Sequence, residues 1–162
     1  MRRLRFLLLC TSLLAPAALT AQPADVGLPS LILEVPVDSF GDIAVAVYHT
    51  NHGIIYYNPR VMAALGPDLA AFFRQHELGH LYHRHVRGNA LLADDSDADA
   101  VMQASELQAD CYAARMLSPS RRPAIDAAVA LFSHMGNVHS PDHPSGAARA
   151  AMILSCVVGG EE

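Results

Sequence analysis

Residues 76–85 read HELGHLYHRH, and the rest of the chain is best understood from this stretch outward. Apolar residues recur around it at helical spacing, which predicts a helix from Asp68 to about Val86. Two histidines four residues apart, His76 and His80, lie on one face of such a helix, so both rings can reach one metal ion. HExxH inside a helix is typical of a zinc site. Glu77 then lies beside the ion and can take a proton from water that the metal activates.

A catalytic zinc site needs a third protein ligand and keeps one position open. Glu106 is one of only five glutamates and follows His80 by 26 residues, which leaves room for a loop and a returning helix. Asp110 comes one helical turn after Glu106 and is expected to hold a ligand histidine through its second ring nitrogen. The sequence therefore predicts one Zn²⁺ per chain, bound by His76, His80 and Glu106.

The remaining pattern predicts an α+β fold, in which a small N-terminal β-hairpin or sheet packs on a mainly helical domain. Two β-rich runs, Ile43–Tyr48 and Ile54–Tyr57, flank the turn sequence HTNHG and indicate a hairpin. The run Leu31–Val37 indicates a further strand, and Pro36 places that strand at an edge or an end. The other predicted helices are Arg60–Leu65, Ala98–Leu117 (capped by Ser96 or Asp97), Arg122–Met135 and Ser145–Val158.

Length and composition exclude several classes of protein. The 162 residues suffice for one domain, and 52% hydrophobic against 17% charged residues excludes a disordered, highly charged chain. All 11 basic residues are arginines, and the formal net charge is −5. That balance argues against a partner among nucleic acids or anionic membranes, because binding either one requires a basic face.

The N-terminus has the order of a secretory signal peptide. Three arginines precede an apolar run from Phe6 to about Leu19, and small residues follow. We expect a signal peptide over residues 1–21 with cleavage after Ala21, and export to the periplasm or the medium. The alternative is an uncleaved N-terminal anchor. No later stretch is long and apolar enough to span a bilayer, so no stable membrane insertion is expected after cleavage.

Cleavage would leave two cysteines, Cys111 and Cys156. In an oxidising compartment such a pair favours a disulfide. The alternative is two buried free thiols, because free cysteine packs as a small hydrophobic residue.

Four sequence segments appear in an order that resembles one family. They are GIIYYNP (Gly53–Pro59), HELGHLYHRH, SELQAD (Ser105–Asp110) and DHPSGAAR (Asp142–Arg149). Together they are similar to the HtpX-type and CAAX-prenyl-protease-like zinc metallopeptidases, which are gluzincins, over about residues 43–152. ELQADCYA is also similar to the neutral zinc metallopeptidases. Residues 22–42 are expected to form a leader with an edge strand, and the resemblance implies residues 43–162 as a zincin-like peptidase domain.

The resemblance also implies roles for individual residues. Peptides or unfolded proteins would be the substrates, and their bonds would be hydrolysed with Glu77 as general base. The chain departs from HtpX-type enzymes in lacking their transmembrane helices, so a membrane-protein substrate is not implied. The resemblance assigns zinc binding to His76, His80 and Glu106, support to Asp110 and His85, and contact with the catalytic water or the oxyanion to His143 and Arg149.

Two other functions remain open from the sequence. One is a non-catalytic zinc-binding module, although a purely structural site would close with a fourth protein ligand. The other is a self-inhibited protease whose cleft is blocked by residues 22–42. In an active enzyme, the strand that ends at Tyr57 is expected to pair with an extended substrate as an added strand.

Overall fold

Three strands and then four helices follow one another along the described part of the chain. The computed structural model describes residues 27–49, 51–85 and 95–158. The strands are β1 (Leu31–Pro36), β2 (Ala44–Tyr48) and β3 (His52–Tyr57). The helices are α1 (Pro59–His83), α2 (Asp95–Leu117), α3 (Arg122–Met135) and α4 (Gly146–Val158). This is an α+β architecture, as the sequence predicts.

The three strands form one sheet in the order β1-β3-β2. The strands β2 and β3 are an antiparallel hairpin with Ala46 opposite Ile55, and β1 pairs with β3 in parallel. As Pro36 indicates, β1 is an edge strand and Pro36 is its last residue. Because β3 has a partner on both sides, it cannot take an added strand. The expectation that the strand ending at Tyr57 pairs with substrate is therefore wrong.

The first helix begins at a side-chain cap and bends at a glycine. The side-chain oxygen of Asn58 accepts hydrogen bonds from the backbone N–H groups of Arg60 and Val61, at 3.0 and 3.2 Å. Gly66 has a φ of 78°, a left-handed conformation that glycine adopts without steric penalty. Together with Pro67, it interrupts the helix where the sequence predicts a short helix to stop.

The end of α1 differs from the prediction. The helix ends at His83, with Arg84 in the left-handed conformation at a φ of 53°, and does not continue to Val86. The guanidinium of Arg84 lies 5.2 Å from the centre of the Tyr48 ring, a cation–π contact. No glycine or asparagine marks this helix end in the sequence. The predicted stop at residues 87–89 lies outside the described residues.

The later helices follow the sequence closely, except at the start of α2. This helix begins at Asp95, so Ser96 and Asp97 lie inside it and the prediction that one of them is its cap is wrong. The predicted bounds of α3 match, and α4 begins one residue later than predicted.

Helix α1 lies between the sheet and the other helices. On its sheet side, Leu78 and Leu81 pack with Ala44 and Ile55. On its other side, a larger cluster joins all four helices, and its fully buried large side chains are Phe72, Phe132, Ile125 and Ile153. The HELGH segment therefore runs through the middle of the molecule.

A disulfide joins Cys111 of α2 to Cys156 of α4, with the two Cα atoms 5.4 Å apart. In the described ranges, no helix combines the length and the apolar character needed to cross a membrane. The predicted signal peptide, and residues 22–26 of the predicted leader, lie outside the described residues.

Candidate metal centre

Three side chains from two helices converge at the centre of the molecule. The Nε2 atoms of His76 and His80 on α1 are 3.0 Å apart. The carboxylate of Glu106 on α2 lies 3.2 Å from the first nitrogen and 3.3 Å from the second. Among the described residues this is the group of ligand atoms able to hold a metal ion. The structure thus brings together the three residues that the sequence predicts as ligands.

A close crossing of α1 and α2 makes this convergence possible. A Cβ atom placed on Gly79 would lie 3.0 Å from the Cα atom and 3.1 Å from the carbonyl oxygen of Ala109. These distances are too short for a side chain, so the missing side chain of Gly79 lets the two backbones approach. Because Gly79 precedes His80, the point of closest approach lies beside the ligands.

Two charged residues hold His76 on the Nδ1 side of its ring. Its Nδ1 atom lies 2.9 Å from a carboxylate oxygen of Asp110, which is completely buried. Arg149 donates two hydrogen bonds of 2.7 Å to the same carboxylate, from Nε and Nη2. Because a carboxylate only accepts hydrogen bonds, the Nδ1 of His76 carries the proton and its Nε2 faces the site. Asp110 thus makes the contact with a histidine ring nitrogen that the sequence predicts for it.

His80 is held by a different chain of contacts. Its Nδ1 atom lies 3.1 Å from the Nδ1 atom of His85, and the Nε2 atom of His85 lies 2.8 Å from the side-chain oxygen of Gln108. His85 reaches His80 only because the helix ends at His83. In a continued helix, five residues correspond to a rotation of about 500°, which puts His85 on a different face.

Glu77 is buried beside the ligands, with only 7% of its surface exposed. Burial raises the pKa of Glu77, and the neighbouring His76 and His80 oppose that rise. Its carboxylate also accepts a hydrogen bond from the backbone of Ala46 in β2. The group is therefore a carboxyl whose proton affinity is increased, located between the metal ligands and the sheet.

His143 approaches the cluster from the loop before α4. Its Nε2 atom lies 3.8 Å from Glu106, and its Nδ1 atom lies 3.0 Å from a carboxylate oxygen of Asp142. Ser140 also donates to that oxygen, and this bond and the contact with His143 lower the pKa of Asp142. Gln103 of α2 holds the loop by donating to the carbonyl oxygens of residues 140 and 141. With its side chain 45% exposed, His143 lies at the solvent side of the site.

Arg149 binds the residue that supports His76 and also approaches the cluster. Its guanidinium is buried, binds Asp110 with two hydrogen bonds and lies 4.0 Å above the centre of the Phe132 ring. The Nη2 atom that donates to Asp110 also lies 3.8 Å from the carboxylate of Glu106. The structure therefore gives Arg149 a supporting contact, and its expected contact with a catalytic water or an oxyanion stays a prediction.

Burial and hydrogen bonds have opposite effects on the charges of His76 and Glu106. Burial opposes a charge on His76, but hydrogen bonds to Asp110 and Glu106 outweigh burial and raise the pKa of His76 to about 10. Burial also opposes a charge on Glu106, yet its bonds to the two histidines hold the pKa of Glu106 well below its ordinary value. A metal ion that binds here has to displace the proton of His76.

The donor atoms fit a small divalent cation. Zinc binds histidine nitrogen and carboxylate oxygen at about 2.0–2.2 Å in tetrahedral geometry, which spaces neighbouring ligand atoms about 3.3 Å apart. The observed separations of 3.0, 3.2 and 3.3 Å lie close to that spacing. Three protein ligands leave one tetrahedral position for water or substrate, the arrangement of a catalytic site.

Several contacts of the site were not predicted from the sequence. Gln108, Asp142 and Gln103 each contact a predicted site residue or its loop, and Phe132 lies under Arg149. For Asp142, its position next to His143 was an available signal. For Gln108 no sequence signal existed, because its partner His85 reaches it only through the left-handed turn at Arg84. Comparisons of the chain with family models, curated proteins and solved structures find no match.

Proposed function

We propose that the protein is a zinc-dependent endopeptidase. The observation that carries the proposal is the cluster formed by His76, His80 and Glu106, with donor atoms 3.0–3.3 Å apart and with Glu77 buried beside it. Both histidines have their outer ring nitrogens engaged by other side chains, as metal-binding histidines usually do. A purely structural site would not need Glu77.

Zinc in this site would polarise the scissile carbonyl and lower the pKa of a water molecule towards about 7. The chain itself supplies the proton transfers. Glu77 is the general base, which takes the proton of the attacking water at its carboxylate oxygen and later delivers it to the leaving amine. Burial supports this role, because a raised pKa increases the affinity of the carboxylate for the proton of water.

His143 is the proposed donor to the developing oxyanion. Its Nδ1 side contacts Asp142, and its Nε2 atom lies 3.8 Å from Glu106, next to the cluster. When the ring carries both protons, Nδ1 donates to Asp142 and the Nε2–H can donate to the oxyanion. Donors of this kind stabilise charge that appears only in the transition state.

The outer edge of β2 is the proposed binding edge for the substrate backbone. The hydrogen bond from the backbone N–H of His49 to the carbonyl oxygen of His52 marks a bonded pair of the hairpin. Hydrogen-bonded pairs alternate along an antiparallel ladder, so Ala44, Ala46 and Tyr48 turn their backbone groups away from β3. The bond from the backbone of Ala46 to Glu77 brings this edge next to the general base. An extended peptide added there would be recognised through its backbone.

The described leader residues argue against self-inhibition by strand addition at this edge. The strand β1 pairs with β3 on the side opposite β2, so residues 31–36 leave the outer edge of β2 unpaired. We further propose export after cleavage near Ala21. N-terminal sequencing of exported material checks this, and material that starts at Met1 would indicate an anchor.

The test is digestion of a denatured protein mixture by purified residues 22–162. New peptide termini should appear, disappear with a chelator and return with zinc. The metal content should be one zinc per chain. Two imidazoles and a carboxylate also suit Fe²⁺. If the purified protein contains iron instead of zinc, the zinc assignment is wrong. A non-catalytic module would bind zinc and produce no new termini.

A matched pair of variants tests the third ligand. Glu106→Ala should lose zinc affinity by more than the roughly 10- to 100-fold typical of outer contacts. Glu34→Ala is the control, because Glu34 pairs with Arg74 and makes no contact with the cluster. Full, tight zinc occupancy of Glu106→Ala would remove Glu106 from the ligand set.

A further inference from the structure

Gln108 contacts His85, and His85 contacts His80. Hydrogen-bond chemistry decides which atom is the donor in each of these two contacts. The side-chain oxygen of Gln108 can only accept, so the Nε2 atom of His85, 2.8 Å away, carries a proton. A neutral His85 then has its lone pair on Nδ1. The Nδ1 atom of His80, 3.1 Å from it, must be the donor.

The consequence appears at the metal side of His80. With its proton on Nδ1, neutral His80 has its lone pair on Nε2, the atom that lies 3.0 Å from the Nε2 of His76 and 3.3 Å from Glu106. The reverse arrangement would put N–H on that atom and prevent it from binding a metal ion. Asp110 fixes the tautomer of His76 in the same way. Each of the two histidines therefore has its own partner on the Nδ1 side.

We propose that Gln108 is a positioning residue for the metal site, whose side-chain oxygen sets the tautomer of His80 through His85. The proposal rests on the proposed metal-binding function and adds a residue to it. Gln108 contacts neither the ligand atoms nor the substrate edge of β2, so its effect has to pass through His85. Because Gln108 is exposed on α2, water competes for its bond, and we expect an effect at the lower end of the range for outer contacts.

Two variants separate this role from a general effect on structure. Gln108→Leu keeps a good helix former and removes the acceptor. Gln103→Leu is the control, because it makes the same substitution on the same helix and Gln103 contacts the loop carbonyls instead of His85.

The experiment measures two quantities. The first is the tautomer of His85 and His80 by long-range ¹H–¹⁵N NMR on the metal-free protein, and the second is zinc affinity by competition with a chromophoric chelator. Wild type and Gln103→Leu should show single tautomers, Nε2–H for His85 and Nδ1–H for His80. Gln108→Leu should show mixed tautomers and a zinc affinity lower by about 10-fold.

The outcomes distinguish this proposal from the proposed function. If Gln108→Leu keeps both single tautomers and the wild-type zinc affinity, Gln108 is not a positioning residue. An equal loss of zinc affinity in Gln108→Leu and in the control Gln103→Leu also contradicts the proposal. If the wild type shows the predicted tautomers but binds no zinc, the metal function fails while the tautomer assignment stands.

Discussion

At the scale of single residues, the site depends on a buried chain of charges that ends at a metal ligand. Arg149 binds Asp110, and Asp110 binds His76. Every buried side-chain nitrogen or oxygen among the described residues has a hydrogen-bond partner. Removing one member leaves a buried charge without its counterion, which is far more destabilising than losing an exposed pair.

Arg149→Met should therefore lower the free energy of unfolding by about 3–5 kcal/mol. Asp110 would keep its buried carboxylate and lose two hydrogen bonds. Arg122→Met is the matched control, because Arg122 forms an exposed pair with Asp126 one turn away, and its loss should change stability by at most about 0.5 kcal/mol. Urea unfolding of metal-free protein measures both. Equal effects of the two variants would show that the buried pair is not a stability determinant.

His143→Ala tests the proposed oxyanion donor. It should lower kcat/KM by about 100-fold or more and leave zinc content unchanged, because His143 lies outside the ligand set. His134→Ala is the control, since His134 is exposed at the end of α3. Steady-state kinetics on a peptide substrate measure kcat/KM for both variants. A wild-type kcat/KM for His143→Ala would remove this residue from the mechanism.

At the scale of elements, α2 is joined to α1 and to α4 at points beside the site. The crossing at Gly79 and Ala109 sets the distance to α1. The disulfide between Cys111 and Cys156 fixes α4, which also supplies Arg149. The residues Asp110 and Cys111 are adjacent, so the covalent link and the buried ion pair connect the same two helices.

The disulfide should be present in exported protein. Mass spectrometry without reduction should show one bridge between Cys111 and Cys156, and two free thiols that alkylate after unfolding would contradict it. Replacing both cysteines with alanine should lower stability by about 4 kcal/mol in the chain-entropy model, given the sequence separation of 45 residues. The loss in the free energy of zinc binding should be smaller than the loss in the free energy of unfolding, because neither cysteine is among the proposed ligands.

At the scale of the whole molecule, the sequence predicts what is local and misses what depends on distant contacts. The helices α3 and α4, and the position of His76 and His80 on one helix face, follow from spacing alone. The pairing of β1 with β3 joins strands that are not consecutive and was not predicted. The left-handed turn at Arg84 has no glycine to signal it, and the contact of Gln108 depends on that turn.

Chelator-treated protein should be most stable between about pH 4 and 6.5. Asp110 has a pKa below its ordinary 3.8 because Arg149 and His76 outweigh burial, so its contribution is present above that value and is lost as pH falls. The pKa of His76 is raised from 6.5 to about 10, so its contribution is full below 6.5 and is lost as pH rises to about 10. Urea unfolding at pH 3, 5.5 and 9 measures this. Equal stability at pH 5.5 and 9 would contradict it.

We propose that this molecule hydrolyses peptide bonds at the metal cluster with Glu77 as general base. The rate of peptide cleavage by zinc-loaded Glu77→Gln, measured beside wild type at equal zinc content, tests this proposal. The substitution keeps the shape of the side chain and removes its ability to take a proton. We predict that the variant binds zinc as tightly as wild type and loses turnover. Cleavage by the variant at the wild-type rate, or no cleavage by either protein, would contradict the account.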